Sequence, residues 1–435
     1  MNPEKIAQLK EQDRSLIWHP FTQMQDYQAM DPLIVERAQG VYLYDLEGKA
    51  YIDGISSLWV NVHGHQKEAV DQAIQDQLKK VAHSTLLGIG NVPSIKLAQA
   101  LLKIAPSNLA RVFYSDSGST SVEVALKMAF QYWQSLGKKQ KTKFICLENA
   151  YHGDTLGSVS VGGMELFHEI FRPLLFETIL IKDFSFKQAK VLFEKHAFET
   201  AACIVEPLIQ GAAGMRLMPE GFLSHLRELC DQHGVLLICD EVATGFGRTG
   251  KMFAVEHEKV KPDLLCLAKG ISAGYLPLAA TLATEEIFQA FLGRHEEFKT
   301  FFHGHSYTGN PLACAAALAN LKIFEEEKVL EALTEKIQVL EQGLQDFLKH
   351  PHIKEVRQKG LMAGLELIKD KKTGEAFLAS EQMGAKVCYA ARRHGALLRP
   401  LGDVLVLMPP LGISTETLKE LLNILWKALE ETLPS

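Results

Sequence analysis

The chain has 435 residues, a formal net charge of −6 and 47% hydrophobic residues; it can bury a large core and divide into more than one domain, and with no basic stripe it argues against nucleic acid as a main partner. No apolar run is long enough to span a bilayer, and Met1-Asn2-Pro3-Glu4-Lys5-Ile6 lacks a charged-then-apolar leader pattern, so a soluble, cytoplasmic protein with no membrane partner is expected. Seven scattered cysteines with no Cys-x-x-Cys pair, two of them (Cys239 and Cys266) inside apolar runs, read as reduced core thiols.

Along the chain, Val41-Tyr42-Leu43-Tyr44 and Tyr51-Ile52 read as strands, and the pattern turns helical after Trp59. Arg111-Val112-Phe113-Tyr114 predicts another strand, while Val122, Ala125, Leu126, Ala129 and Trp133 share one helical face. Ser115-Asp116-Ser117-Gly118-Ser119-Thr120 is therefore a strand-to-helix turn. Its free amides and positive dipole end suit a phosphate dianion, and Gly118 permits close backbone approach; a plain Ser/Thr N-cap explains the same residues. After the strand Phe144-Ile145-Cys146-Leu147, Tyr151 could cover a planar ligand or be a core tyrosine with a satisfied hydroxyl. The strand Ala202-Cys203-Ile204-Val205 leads to Glu206-Pro207. Leu236-Leu237-Ile238-Cys239 ends in Asp240 and Glu241, and Thr244-Gly245-Phe246-Gly247-Arg248-Thr249-Gly250 holds three glycines in seven residues, a tight turn or a place where a ligand meets backbone. The run Leu264-Leu265-Cys266-Leu267-Ala268 ends in Lys269-Gly270, and the pattern changes again near Phe324-Glu325-Glu326-Glu327-Lys328. Alternating helices and near-continuous apolar strands predict an α/β fold with a mostly parallel sheet, whose ligands gather at the carboxyl ends of its strands.

Lys269 and Asp240 are the pair with chemical content. A lysine in apolar surroundings loses hydration of its ammonium, so the free amine needed for Schiff-base chemistry becomes accessible near neutral pH. Pyridoxal 5'-phosphate (PLP) needs such a lysine together with an acid that keeps its pyridine nitrogen protonated. Either residue alone could be a snorkelling lysine or a helix-capping acid. The phosphate turn and the glycine loop between them favour the cofactor reading.

These segments, in this order, resemble the class III aminotransferases of the fold type I PLP enzymes, from Trp18-His19-Pro20-Phe21-Thr22-Gln23-Met24 to Arg399-Pro400. Matching motifs are Asp53-Gly54-Ile55-Ser56-Ser57-Leu58-Trp59, Asp116-Ser117-Gly118-Ser119, Tyr151-His152-Gly153-Asp154, Asp240 to Gly250, and Thr308-Gly309-Asn310-Pro311-Leu312-Ala313-Cys314. Within the class, the likeness is to members acting in biotin synthesis, which aminate 7-keto-8-aminopelargonate to 7,8-diaminopelargonate. The resemblance implies a large PLP-binding domain over residues 61–325, inserted between the parts 1–60 and 326–435 of a smaller α+β domain. It implies that Gly118 and Ser119 hold the phosphate, Tyr151 and Val242 cover the two ring faces, Asp240 meets the pyridine nitrogen, and Glu206 is an acid near the centre. It further implies a homodimer with shared sites, in which His305 and Ser306 reach the neighbouring subunit's phosphate. Phe21, Trp59, Arg248 and Gly304 would meet substrate, with Arg399 binding the acceptor's distal carboxylate; a core tryptophan at Trp59, a loop scaffold at Arg248 and a structural salt bridge at Arg399 explain the same residues.

The chain departs from adenosylmethionine-using members at Phe21, Leu58 and His305-Ser306, which leaves the donor open between S-adenosylmethionine and L-lysine. His63-Gly64-His65 and His303-Gly304-His305 invite a metal reading, but neither has a Cys or acid at ligand spacing, so no metal is expected; their glycines suggest backbone passing close to cofactor or substrate. Two other functions stay open: an ω-aminotransferase for ornithine, 4-aminobutyrate or a diamine, and a PLP-fold regulator without turnover.

Overall fold

The computed structural model describes residues 1–164 and 169–433. A seven-stranded sheet runs in the order Leu109–Ser115, Ala279–Thr284, Leu264–Leu267, Leu236–Asp240, Thr200–Val205, Lys143–Leu147, Ile179–Ile181. Ala279–Thr284 is antiparallel to both neighbours, and every pairing from Leu264–Leu267 to Ile179–Ile181 is parallel. The α/β architecture expected from the alternation of elements is the one observed.

Both faces of this sheet are covered. Phe144, Cys146, Ala202, Ile204, Leu236, Ile238, Leu264 and Cys266 pack with Val122, Ala125 and Ala129 of the helix Gly118–Ser135. The intervening Ile145, Leu147, Cys203, Val205, Leu237, Cys239, Leu265 and Leu267 join Phe222 and Leu226 of the helix Phe222–His233 on the other face. Successive side chains alternate between two dry layers, which is why these runs read as continuously apolar. Burying each large aliphatic side chain contributes about 1.5–3 kcal/mol. Charged groups are therefore tolerated only where the strands end, and the chemistry is pushed to the sheet's edge.

The strands Val35–Gln39, Tyr42–Asp45 and Ala50–Asp53 form an antiparallel ribbon, to which Ala396–Leu397 adds in parallel, Ala396 opposite Ile52 and Leu397 opposite Asp53. Segments from near both ends of the chain thus share one sheet. A further antiparallel sheet runs Ile353–Lys359, Met362–Leu367, Val404–Leu407, Arg399–Leu401. Among the described residues no helix is long and apolar enough to cross a membrane.

Candidate active site

The parallel strands deliver Tyr151, Glu206, Asp240 and Lys269 to one edge of the large sheet. Asp240 pairs with Cys266 in register, so Lys269 follows just beyond it on the neighbouring strand. A cavity of about 710 Å³ opens there, lined by Trp59, Gly118, Ser119, Tyr151, Glu206, Asp240, Val242 and Lys269 among others. It is at the carboxyl ends of the strands, where α/β sheets bind ligands.

Lys269 opens the short turn Lys269–Ser272 with φ 44°, and Ala273 follows with φ 56°. Left-handed backbone costs a residue with a side chain about 1–2 kcal/mol, so the surrounding packing must enforce it. Burial pushes the amine's pKa below the ordinary lysine value; Asp240 and Glu206 oppose that shift, and Arg248 adds to it. Its Nζ lies 4.8 Å from the centre of the Trp59 ring. Trp59 ends a second strained segment, with Ser56, Ser57, Leu58 and Trp59 at φ 52°, 49°, 72° and 70°. Asp53 holds it, accepting from the Ser57 amide at 2.8 Å and the Ser57 hydroxyl at 2.7 Å, while the Ser56 hydroxyl donates to the Met408 carbonyl at 2.7 Å. Strain of this kind collects at functional sites, where packing over-determines the backbone.

The two carboxylates that end Leu236–Asp240 part company. Asp240 faces the cavity: its Oδ1 accepts from the Val242 amide at 3.0 Å, and its Oδ2 lies 2.7 Å from His152 Nδ1. A carboxylate only accepts, so His152 Nδ1 carries the hydrogen. His152 Nε2 is buried without a hydrogen-bond partner among the described residues. Glu241 points away, accepting from the amides of Ala254 and Val255 and the Thr244 hydroxyl at 2.8–2.9 Å, and it closes the glycine loop.

Ser117 caps the helix Gly118–Ser135, accepting from the Thr120 amide in a reciprocal capping box. The cap and the anion cradle are thus compatible, because Gly118 and Ser119 still line the cavity. A Cβ on Gly118 would stand 2.5 Å from Val242 Cγ1, so any side chain there would push Val242 aside. Gly153, at φ 118°, lets the next loop close over Ser119, whose hydroxyl accepts from the Thr155 amide at 3.0 Å and lies 2.8 Å from Thr155 Oγ1. Glu206 is buried, accepting from the Tyr151 amide at 3.0 Å and the Gly211 amide at 3.1 Å.

Six expected residues are not on this wall. Arg248 is fully buried, its guanidinium donating to the carbonyls of Pro409 at 2.6 Å and Asn61 at 2.7 Å. Two of its five donors thus serve backbone oxygens, and Nε has no hydrogen-bond partner among the described residues. Arg399 is half-buried, with its guanidinium carbon 5.8 Å from the centre of the Phe21 ring. Gly304 and Ser306 are exposed, and the His305 ring accepts from the Tyr307 amide at 3.2 Å. The close approach expected at Gly64 is to protein instead: a Cβ there would meet the Gly40 carbonyl at 2.8 Å, where Gly40 and His65 form a β-bridge. His63 bonds Asn320 and His65 bonds Asp53. Sequence reasoning gave no role to His152 or Thr155, nor to the loop Tyr275-Leu276-Pro277-Leu278 on the cavity wall. For His152 the available signal was its place beside Tyr151, just past a strand.

A family model for class-III aminotransferases matches residues 23–429. The chain belongs to the class III aminotransferases. It is 50% identical over 438 residues, 97% of this chain and 96% of the relative, to adenosylmethionine-8-amino-7-oxononanoate aminotransferase of Anoxybacillus flavithermus. The crystal structure of the protein of that name from Methanocaldococcus jannaschii superposes with a TM-score of 0.97 at 45% identity, covering 98% of this chain and 99% of that one. An omega transaminase from Pseudomonas jessenii, solved with PMP, superposes with a TM-score of 0.93 at 32% identity, covering 98% of each chain.

Class III aminotransferases are PLP-dependent fold type I enzymes, and the residues of this one fit the cofactor. Helix amides at Gly118 suit its phosphate, the Asp240 carboxylate its pyridine nitrogen and the Lys269 amine its aldehyde, while Tyr151 and Val242 offer surfaces for the ring.

Glu206 gives this aminotransferase a pH signature. Burial raises its pKa from 4.5 to about 7, with His152 opposing and Asp240 adding to the rise. The fold therefore favours the protonated acid. Its contribution is complete below about pH 4.5 and is lost as pH rises through about 7, a change on the order of 3 kcal/mol. Glutamine does not titrate, and although its nitrogen cannot accept from the second of the two amides, that loss is the same at every pH. Melting of the cofactor-free protein between pH 5 and 8 is expected to fall less for Glu206→Gln than for the native chain. Parallel curves would show that Glu206 does not titrate there.

Proposed function

We propose that this enzyme aminates 7-keto-8-aminopelargonate to 7,8-diaminopelargonate in biotin synthesis, with S-adenosylmethionine or L-lysine as donor. The observation that carries the reading is identity of about one half, over nearly the whole length, to relatives named for adenosylmethionine and 8-amino-7-oxononanoate. Those names favour the first donor. The single indole of Leu58-Trp59, and Phe21 without a hydroxyl, leave less to stack and bond an adenine and keep the second in play.

When bound, PLP supplies an electron sink for the bond broken at the amine-bearing carbon. Lys269 Nζ, half-buried and poorly solvated, would move the proton from that carbon to the cofactor's own carbon in the first half-reaction and in the opposite direction in the second, ending each as it began. Asp240 holds a negative charge toward the pyridine nitrogen, and His152, donating from Nδ1, fixes the carboxylate's rotation. Amides of Gly118 and Ser119 hold the phosphate, Tyr151 covers one side of the ring and Val242 packs against the other. Trp59 lines the path of the aliphatic substrate chain, excluding water beside Lys269. Glu206 sets the local charge balance behind Tyr151.

We assign Arg399 to the acceptor's distal carboxylate, with Phe21 beside it. It forms no salt bridge among the described residues, so its guanidinium is available for a bidentate contact. Losing such a contact costs about 2–5 kcal/mol. Arg399→Ala is expected to lower the efficiency of the second half-reaction by that factor for 7-keto-8-aminopelargonate, and far less for an analogue without the carboxylate. Equal loss for both would make Arg399 structural.

The same reading includes a cytoplasmic homodimer in which exposed Gly304 and Ser306, with His305, complete the partner's site. The division into 1–60, 61–325 and 326–435 is supported by the sheet that joins Ala50–Asp53 to Ala396–Leu397. A second reading, an ω-aminotransferase for simpler amines, draws on the likeness to the Pseudomonas jessenii enzyme.

A further inference from the structure

Asn320 is a fully buried amide in an otherwise apolar stretch of the helix Pro311–Glu326. Its Nδ2 donates to the carbonyls of Gly270 at 2.9 Å and Ile271 at 3.0 Å, and its Oδ1 lies 2.7 Å from His63 Nε2. With both amide hydrogens committed to carbonyls, Oδ1 is the acceptor and His63 Nε2 carries a hydrogen. Gly270 and Ile271 are the two residues after Lys269, inside the short 3-10 turn that opens at the left-handed Lys269 and aims its side chain. Other contacts help to fix that turn: the Ser272 hydroxyl donates to the Leu276 carbonyl at 2.6 Å, the Tyr275 amide donates to the Ser272 carbonyl at 3.1 Å, and Ile271 is buried in the core. Ile271 donates to Ala268 and Ala273 to Gly270, while a Cβ on Gly270 would meet Phe246 Cβ at 2.9 Å. The small residues Ala313, Ala316 and Ala317 on the same helix are buried with it, leaving room for the amide to reach the turn.

We propose that Asn320, oriented by His63, is a positioning residue for Lys269: it holds the carbonyls of the Lys269–Ile271 turn so that the amine points into the cavity. The proposal rests on the assignment of Lys269 to the cofactor. An apolar residue could fill the same space, but the two carbonyls would then be buried with fewer donors. Aspartate would turn oxygen lone pairs onto both carbonyls and drive the turn away. The first His-Gly-His thereby acquires a purpose: His65 steadies Asp53 beneath the Ser56–Trp59 turn, and His63 steadies Asn320 behind Lys269.

The test compares cofactor-free native enzyme with Asn320→Asp, His63→Leu and His63→Gln. PLP is added, borohydride fixes any lysine link at timed intervals, and the label is located by peptide mapping. In parallel, affinity for pyridoxamine phosphate is measured; lacking an aldehyde, it reports the phosphate and ring contacts without Lys269. The native chain is expected to be labelled at Lys269. Asn320→Asp is expected to slow labelling on the order of 10²-fold, as misplacing a reacting group by about 1 Å does. His63→Leu is expected to slow it about tenfold, and His63→Gln, whose amide N–H can replace Nε2–H, to restore most of the rate; pyridoxamine phosphate affinity stays within about twofold throughout. Unchanged labelling in Asn320→Asp and His63→Leu overturns the proposal, as does an equal fall in labelling and pyridoxamine phosphate affinity, the mark of a merely structural residue. Native label on another lysine overturns the Lys269 assignment and the proposal with it.

Discussion

Replacement of Lys269 by alanine is expected to abolish transamination and the visible absorption of lysine-linked cofactor, while cofactor still binds through its phosphate. Positioned acid–base catalysis alone contributes about 10²–10⁴-fold, and Lys269 is also the amine that links the cofactor, so turnover is expected to fall by more than about 10⁴-fold. The physical reason is its setting. Half-buried after Leu264–Leu267 and set against Trp59, its ammonium is poorly solvated, and its pKa is depressed even though Asp240 and Glu206 favour the charge. Absorption spectra together with single-turnover rates check this. A variant that keeps the lysine-linked spectrum would move the assignment to another lysine.

Asp240→Asn is expected to leave the fold intact and to slow proton abstraction by up to about 10³. An opposite charge close to a titrating group shifts its pKa by about 1–3 units, a tenfold population change per unit. Asparagine keeps the size of the side chain and one oxygen to accept from His152 Nδ1, but its nitrogen cannot accept from the Val242 amide, so the variant measures loss of charge together with one backbone hydrogen bond. The decisive comparison is a pH titration of the bound cofactor's spectrum beside the pre-steady-state rate. Native values for both would mean that another residue sets the protonation of the ring nitrogen.

Much of this site was legible because buried parallel strands admit no charge. Leu236–Asp240 and Leu264–Leu267 are apolar on both faces, so Asp240 and Lys269 stand out where the runs stop. What stayed hidden depends on contacts distant in sequence. That Asp240 enters the cavity while Glu241 closes a loop is set by Ala254 and Val255, and the His152 bond to Asp240 spans 88 residues. Arg248 reaches Asn61 and Pro409, 187 and 161 residues away, so these partners were not readable from its own loop. The strand Ala279–Thr284 was missed because Ala-Ala-Thr-Leu-Ala-Thr is poor in large β-branched residues; its place between Leu109–Ser115 and Leu264–Leu267 comes from tertiary pairing. The four left-handed residues Ser56–Trp59 carry no glycine to announce them.

The most direct measurement supplies the PLP-loaded enzyme with 7-keto-8-aminopelargonate and either S-adenosylmethionine or L-lysine, and follows products by mass spectrometry. 7,8-Diaminopelargonate is expected from at least one donor, with the donor losing its amino group in equal amount. No diaminopelargonate from either donor, beside turnover of ornithine, 4-aminobutyrate or a diamine with simpler keto acids, would contradict the proposed function.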